Sequence, residues 1–146
     1  MPIRPENKGR YPKNWPKISA SIRLRANEQC EKCRAPNGVM IRRGKALDGT
    51  AVWMLANDDT YRHGLNAETG RLHTSAEDGV VYGEPVRVVL TVAHLDHVPE
   101  NCDPSNLRAW CQRCHNAYDA PMRRAGISAR ARAARAVGDL FEGVPL

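Results

Sequence analysis

The sequence predicts a small α+β protein held together by a four-cysteine zinc site, with an N-terminal helix, a β-rich insert, a strand–strand–helix core and a basic C-terminal helix. Two C-x-x-C pairs, Cys30/Cys33 and Cys111/Cys114, can each point two thiolates at one tetrahedral ion. The run "VRVVLTVAHLDHV", residues 86–98, has the β-branched density of a strand and is followed by "LRAWC" and the helical "QRCHNAYDA". Aromatic residues make up only 5% of the chain, so large rings add little to the core and a metal is a natural supplement.

The elements follow in order. Four prolines in the first sixteen residues (Pro2, Pro5, Pro12, Pro16) predict an extended basic arm over 1–14. From Trp15 to Asn27 the repeat of Ile18, Ile22 and Ala26 at every fourth position predicts a helix that runs into "CEKC". Residues 39–85 read as an insert: "VMIRR" and "AVWML" as strands, "GKALDGT", "NDDT", "AETG" and "EDG" as turns. His63 and His73 in this region read as surface polar residues. Past "QRCHNAYDA", Pro121 should end the helix, and a second, basic helix should run from about Ser128 to Val137 before the apolar tail "DLFEGVPL".

Charge is segregated. Residues 1–34 carry nine Lys/Arg against three acids and residues 120–146 five against two, while 91–119 carry four acids against two basic residues. Basic ends around an acidic middle suit a protein that grips a polyanion and holds a cation at its centre. Arg10, Lys13, Lys17, Arg23, Arg123, Arg124 and Arg130 are the candidate polyanion contacts; solvated surface is the plain alternative. The start, "MPIRPENKGRYPKNW", has charge but no apolar core of a signal peptide, and no run is long enough to span a bilayer. The expected setting is therefore the cytoplasm, where paired cysteines are metal ligands more often than disulfides.

The two C-x-x-C pairs are 78 residues apart (111 − 33), so the ion would hold distant parts of the chain together. Cys102 lacks such a partner and reads as a free thiol. What remains is His94, Asp96, His97, Asn106, His115 and Asp119. If the strand stays regular through Asp96, alternation puts His94 and Asp96 on one face and His97 on the other. His115 and Asp119 fall one helical turn apart.

"LDHVPENCDPSNLRAWCQRCHNAYD" resembles the core of the HNH (His-Asn-His) endonucleases, in a zinc-stapled form found in phage and bacterial proteins. The name-giving positions are His97, Asn106 and His115, nine residues apart in each step. The likeness takes in "CEKC" and, more loosely, "YPKNWPKISASIR", but not the insert or the C-terminal tail. It implies a ββα-metal core over about 86–120, within a nuclease domain over 15–125 that is followed by a helix and tail over 126–146. It further implies that Asp96 and His115 ligate a catalytic divalent ion, Mg²⁺ or Mn²⁺, while His97 is the general base and Asn106 braces the loop. Asp119 is either a third ligand or a helix-capping charge; His94 either meets metal or phosphate or makes a structural hydrogen bond. The function implied is DNA phosphodiester hydrolysis in a bacterial or phage-infected cell. Two alternatives stand beside it: a non-catalytic zinc-dependent nucleic-acid-binding module, and a phage or defence component activated by a protein partner at the insert or tail.

Overall fold

The computed structural model describes residue 3 and residues 5–58, 64–73 and 79–142, with side-chain surroundings as far as residue 136. His63 and the last four residues of the tail lie outside them. The chain forms two compact units, residues 1–115 and 116–146.

The first unit starts differently from the extended arm that its prolines suggest. Pro5–Arg10 coil into a 3-10 helix, because the fixed φ of proline suits the first position of a helix as well as extended chain. Helix α1 (Trp15–Arg25) then begins with Pro16 in its first turn. Its four-residue repeat is buried as expected: Ile22 and Ala26 face the core, and Ile18 packs half-buried against it. The chain leaves α1 through two left-handed residues, Asn27 and Glu28, both at φ 52°. The Glu28 N–H donates to the Arg23 carbonyl (2.9 Å), and Asn37 Nδ2 donates to Glu28 Oε2 (2.7 Å), which stabilises that unusual backbone.

The insert is a sheet. Strands β1 (Met40–Lys45), β2 (Ala51–Leu55), β3 (Gly64–Asn66), β4 (Leu72–His73) and β5 (Val81–Arg87) pair antiparallel in the order β4-β3-β2-β1-β5. "GKALDGT" makes the β1–β2 turn, where Gly49 takes φ 87° and Asp48 Oδ1 accepts the Thr50 N–H at 2.8 Å. Trp53 of β2 is buried, and its indole N–H donates to the Cys33 carbonyl at 2.8 Å. That bond fastens the sheet to the first cysteine pair. His73, on the edge strand β4, is half-buried and lies 4.0 Å from the exposed carboxylate of Asp48.

The run from Val86 to Val98 is not one strand. Its start belongs to β5, and the chain changes sheets at Val88 and Val89 before β6 (Leu90–His94) pairs with β7 (Leu107–Cys111) as a separate hairpin. Val88 is held against the β1 approach by its N–H to Val39 and its carbonyl from Gly38, 2.9 and 2.8 Å. Asn37 Oδ1 captures the Leu90 N–H at 3.0 Å. β-branched residues serve two sheets equally well, so composition alone could not place the break.

Leu107, Ala109 and Cys111 alternate inward along β7. With Ile22, Ala26, Ile41, Trp53, Val88, Leu90 and the three other paired cysteines they belong to one apolar cluster.

Helix α2 (Gln112–Glu142) follows β7 without a break, and most of it forms the second unit. It passes through Pro121 and Gly126, where two separate helices are expected. Alanine and arginine supply enough helix propensity on either side to carry the chain past one missing N–H donor. Residues 127–136 are exposed throughout.

Candidate functional site

The two cysteine pairs converge. Cys30, Cys33, Cys111 and Cys114 are buried, none is in a disulfide, and their sulfurs all lie within 4.8 Å of one another. A tetrahedral ion with metal–sulfur bonds of about 2.3 Å separates its sulfurs by about 3.8 Å. Cys33 Sγ and Cys111 Sγ are 3.7 Å apart. The donor set therefore fits a metal ion such as zinc, and four thiolates leave that ion no open position for chemistry.

Local backbone builds the site. The Arg34 N–H returns to the Cys30 carbonyl (2.9 Å), the Cys33 N–H faces Cys30 Sγ (3.5 Å), and Arg34 takes φ 61° to close the turn. Glu31 docks this turn on β7: its N–H donates to the Ala109 carbonyl at 2.9 Å, and its Oε2 accepts the Ala109 N–H at 2.6 Å. Arg25 braces the same junction through Glu31 and the carbonyls of Pro104 and Leu107.

Four thiols this close cannot all ionise on their own. A bound cation at their centre is what would let all four carry charge together. Arg43 of β1 adds a cation at the edge, its Nη2 3.5 Å from Cys111 Sγ and its Nη1 buried with no hydrogen-bond partner. Nothing in "MIRRGK" marked Arg43 for this place; sheet register puts it there.

The second group of residues lies on the β6–β7 hairpin. The strand ends at His94, so the alternation argument for His94, Asp96 and His97 does not hold. Leu95 and Asp96 form a turn, and His97 adopts φ 58° with its N–H on the His94 carbonyl (3.2 Å). Asn106 brackets this turn. Its carbonyl accepts the Leu95 N–H (2.9 Å) and its Oδ1 accepts the Asp96 N–H (3.2 Å). Its Nδ2 donates to Asp96 Oδ1 and to the Asn101 carbonyl, both at 2.9 Å.

Asp96 is exposed but heavily bonded. Oδ1 accepts from the Val98 N–H (2.9 Å) and Asn106, and Oδ2 accepts from Asn101 Nδ2 (2.6 Å). The Val98 amide first, then the Asn106 and Asn101 amides, hold its pKa down at about 2. Oδ2 accepts only one of these bonds and keeps a lone pair that a cation can use. His115, in the first turn of α2, has its Nδ1 2.7 Å from Thr91 Oγ1. Asn101 and Thr91 were both missed in the sequence, where one reads as loop filler and the other as an ordinary strand residue.

His94 is buried at 8% exposure, stacked on Trp15 (centroids 5.1 Å apart) and edge-on to Tyr11 (5.7 Å). The structure packs the ring against these two aromatics, a setting that neither of its expected roles described. Burial pushes its pKa down, the Asp96 charge pushes it up and His115 pushes it down, so both side chains lie within electrostatic reach of the ring. Cys102 sits 3.9 Å from its Nε2 and is not part of the sulfur cluster.

Among the described residues, the four cysteines are the one group of three or more His, Cys, Asp or Glu whose ligand atoms converge. Asp96 and His115 form no such three-membered group within the first unit. Asp119 belongs to the second unit.

The basic candidates differ in availability. Arg10 is engaged in a bidentate pair with Glu100 (2.7 and 3.0 Å), which ties the N-terminal segment to the hairpin loop. Arg23 bonds Ser19 at 2.9 Å, and Arg123 folds back onto the Asn116 carbonyl at 2.7 Å. Lys13, Lys17, Arg124 and Arg130 are exposed. No helix among the described residues is long and apolar enough to cross a membrane. No family model, curated protein or solved structure matches the chain.

Proposed function

We propose that this protein is a metal-dependent endonuclease of the HNH type, stabilised by zinc at Cys30, Cys33, Cys111 and Cys114. The observation that carries the reading is the Asn106 bracket. One side chain ties the Asp96–His97 turn to the start of β7, and β7 runs straight into the helix that bears His115. A β-hairpin followed by a helix, with a carboxylate at the hairpin turn and an imidazole on the helix, is an arrangement suited to holding a divalent cation near a phosphodiester.

In this reading Asp96 Oδ2 and His115 hold the ion. When bound, the ion neutralises charge on the scissile phosphate and on the departing 3′ oxygen. His97 accepts the proton of the attacking water, a task open to a neutral imidazole near cellular pH. Asn106 and Asn101 fix the carboxylate so that it need not reorganise. Lys13, Lys17, Arg124 and Arg130 contribute phosphate contacts that set affinity more than sequence choice. The products are a 5′-phosphate and a 3′-hydroxyl.

The test is cleavage of supercoiled plasmid with Mg²⁺ or Mn²⁺ by the native chain and by His97→Ala, each first shown to hold one zinc. Nicking by the native chain that disappears in the variant supports a nuclease with His97 as base. Equal cleavage by both contradicts that role.

A second reading has its own support. Three hydrogen bonds already occupy Asp96, as they would in a loop built only for shape, which favours a zinc-dependent nucleic-acid-binding module without catalysis. DNA retention with no cleavage in either metal decides for it.

A further inference from the structure

The proposed ion site leaves one question open that the hairpin answers: which nitrogen of His115 faces the cation. A neutral imidazole carries its hydrogen on Nδ1 or on Nε2, and only the nitrogen without hydrogen can bind a metal. Thr91 of β6 pairs across the hairpin with Trp110 of β7. Its hydroxyl oxygen lies 3.3 Å from the Trp110 carbonyl and 2.7 Å from His115 Nδ1. A carbonyl oxygen can only accept, and threonine has one hydroxyl hydrogen to give. The one arrangement that makes both contacts hydrogen bonds directs that hydrogen at Trp110 and has Nδ1 donate to Oγ1. Threonine is stiff at χ1 and half-buried here, so the hydroxyl is held at a fixed point beside the ring.

We propose that Thr91 is the positioning residue for His115, holding the ring with its hydrogen on Nδ1 so that Nε2 is the ligand atom for a divalent cation. This rests on the reading of His115 as a metal ligand. A ring donating its other N–H to a fixed oxygen is oriented and made more basic, and loss of such a partner typically lowers metal affinity 10–100-fold.

The experiment has two readouts on the full zinc-loaded chain. Long-range ¹H–¹⁵N correlation of the histidine rings, at a pH above about 8 where imidazole is neutral, reports the tautomer directly. Mn²⁺ binding is followed by calorimetry. The native chain should show His115 with hydrogen on Nδ1. Thr91→Val, matched in shape but unable to accept, should release that preference and weaken Mn²⁺ binding by about tenfold or more. Thr91→Ser should restore both, which separates the hydroxyl from packing if Thr91→Val folds poorly. A native ring protonated on Nε2, or a tautomer unchanged in Thr91→Val, would overturn the assignment to Thr91 while leaving Mn²⁺ binding to speak for the nuclease reading. A native Nδ1–H ring on a chain that binds no Mn²⁺ would overturn the ligand half of the proposal together with that reading.

Discussion

Asp96 shows how much a few amides can do to an exposed carboxylate. The Val98 N–H, Asn106 Nδ2 and Asn101 Nδ2 all donate to its charged form and bring its pKa to about 2, against about 3.9 for an ordinary aspartate. Because the folded value is the lower one, the turn gains stability from Asp96 at pH values above about 3.9 and loses it as pH falls through about 2. In the zinc-loaded chain, with no other divalent ion added, a ¹³C titration of the Asp96 carboxyl should therefore have its midpoint near 2, and Asn101→Ala should raise it. A midpoint at the ordinary aspartate value would mean that the loop bonds do not persist in solution. Asn106 was legible as the brace of the loop through the resemblance to HNH cores, and its bonds to Asp96 and Asn101 fit that expectation. Asn101, Thr91 and Arg43 were not, because each acts through a partner brought close by the hairpin or the sheet, and no local pattern records such a contact.

Elements were legible where one period dominates. The four-residue repeat of Ile18, Ile22 and Ala26 gave α1, and the inward alternation of Leu107, Ala109 and Cys111 matches β7. Two misreadings have a common origin in local signals that admit two outcomes. The β-branched run from Val86 to Val98 supplies strands to two sheets, and past Leu95 the chain turns, with the Asn106 side chain accepting the Asp96 N–H. Pro121 suggested a helix end, yet α2 continues through it and through Gly126. Gly126 is open to improvement: a Cβ there would meet only the far end of Arg130, at 3.7 Å. Gly126→Ala should stabilise α2 by about 1 kcal/mol, the difference in helix propensity between the two residues. Circular dichroism of the full chain should show a higher-melting helical component; a lower-melting one would show that this stretch of α2 is not helical in solution.

For the molecule as a whole, the sulfur cluster takes the place of a large aromatic core. All four paired cysteines lie inside the same apolar cluster that receives α1, β2 and the β6–β7 hairpin, so the site joins segments 78 residues apart at the point where they pack. A structural zinc contributes on the order of 10 kcal/mol to folding. That is comparable to the entire stability of a typical domain, about 5–15 kcal/mol, so the fold of residues 1–115 should depend on the metal. The proposed division of labour is one closed sulfur centre that holds the hairpin in place and one open oxygen–nitrogen centre on the hairpin itself. Cobalt titration of the metal-free chain reads both centres in one experiment. The first equivalent should bring thiolate-to-metal charge-transfer bands and the intense visible absorption of tetrahedral cobalt, and the second should bind without adding thiolate absorption. A first equivalent that lacks thiolate bands, or two equivalents both bound through cysteine, would contradict the two-centre account.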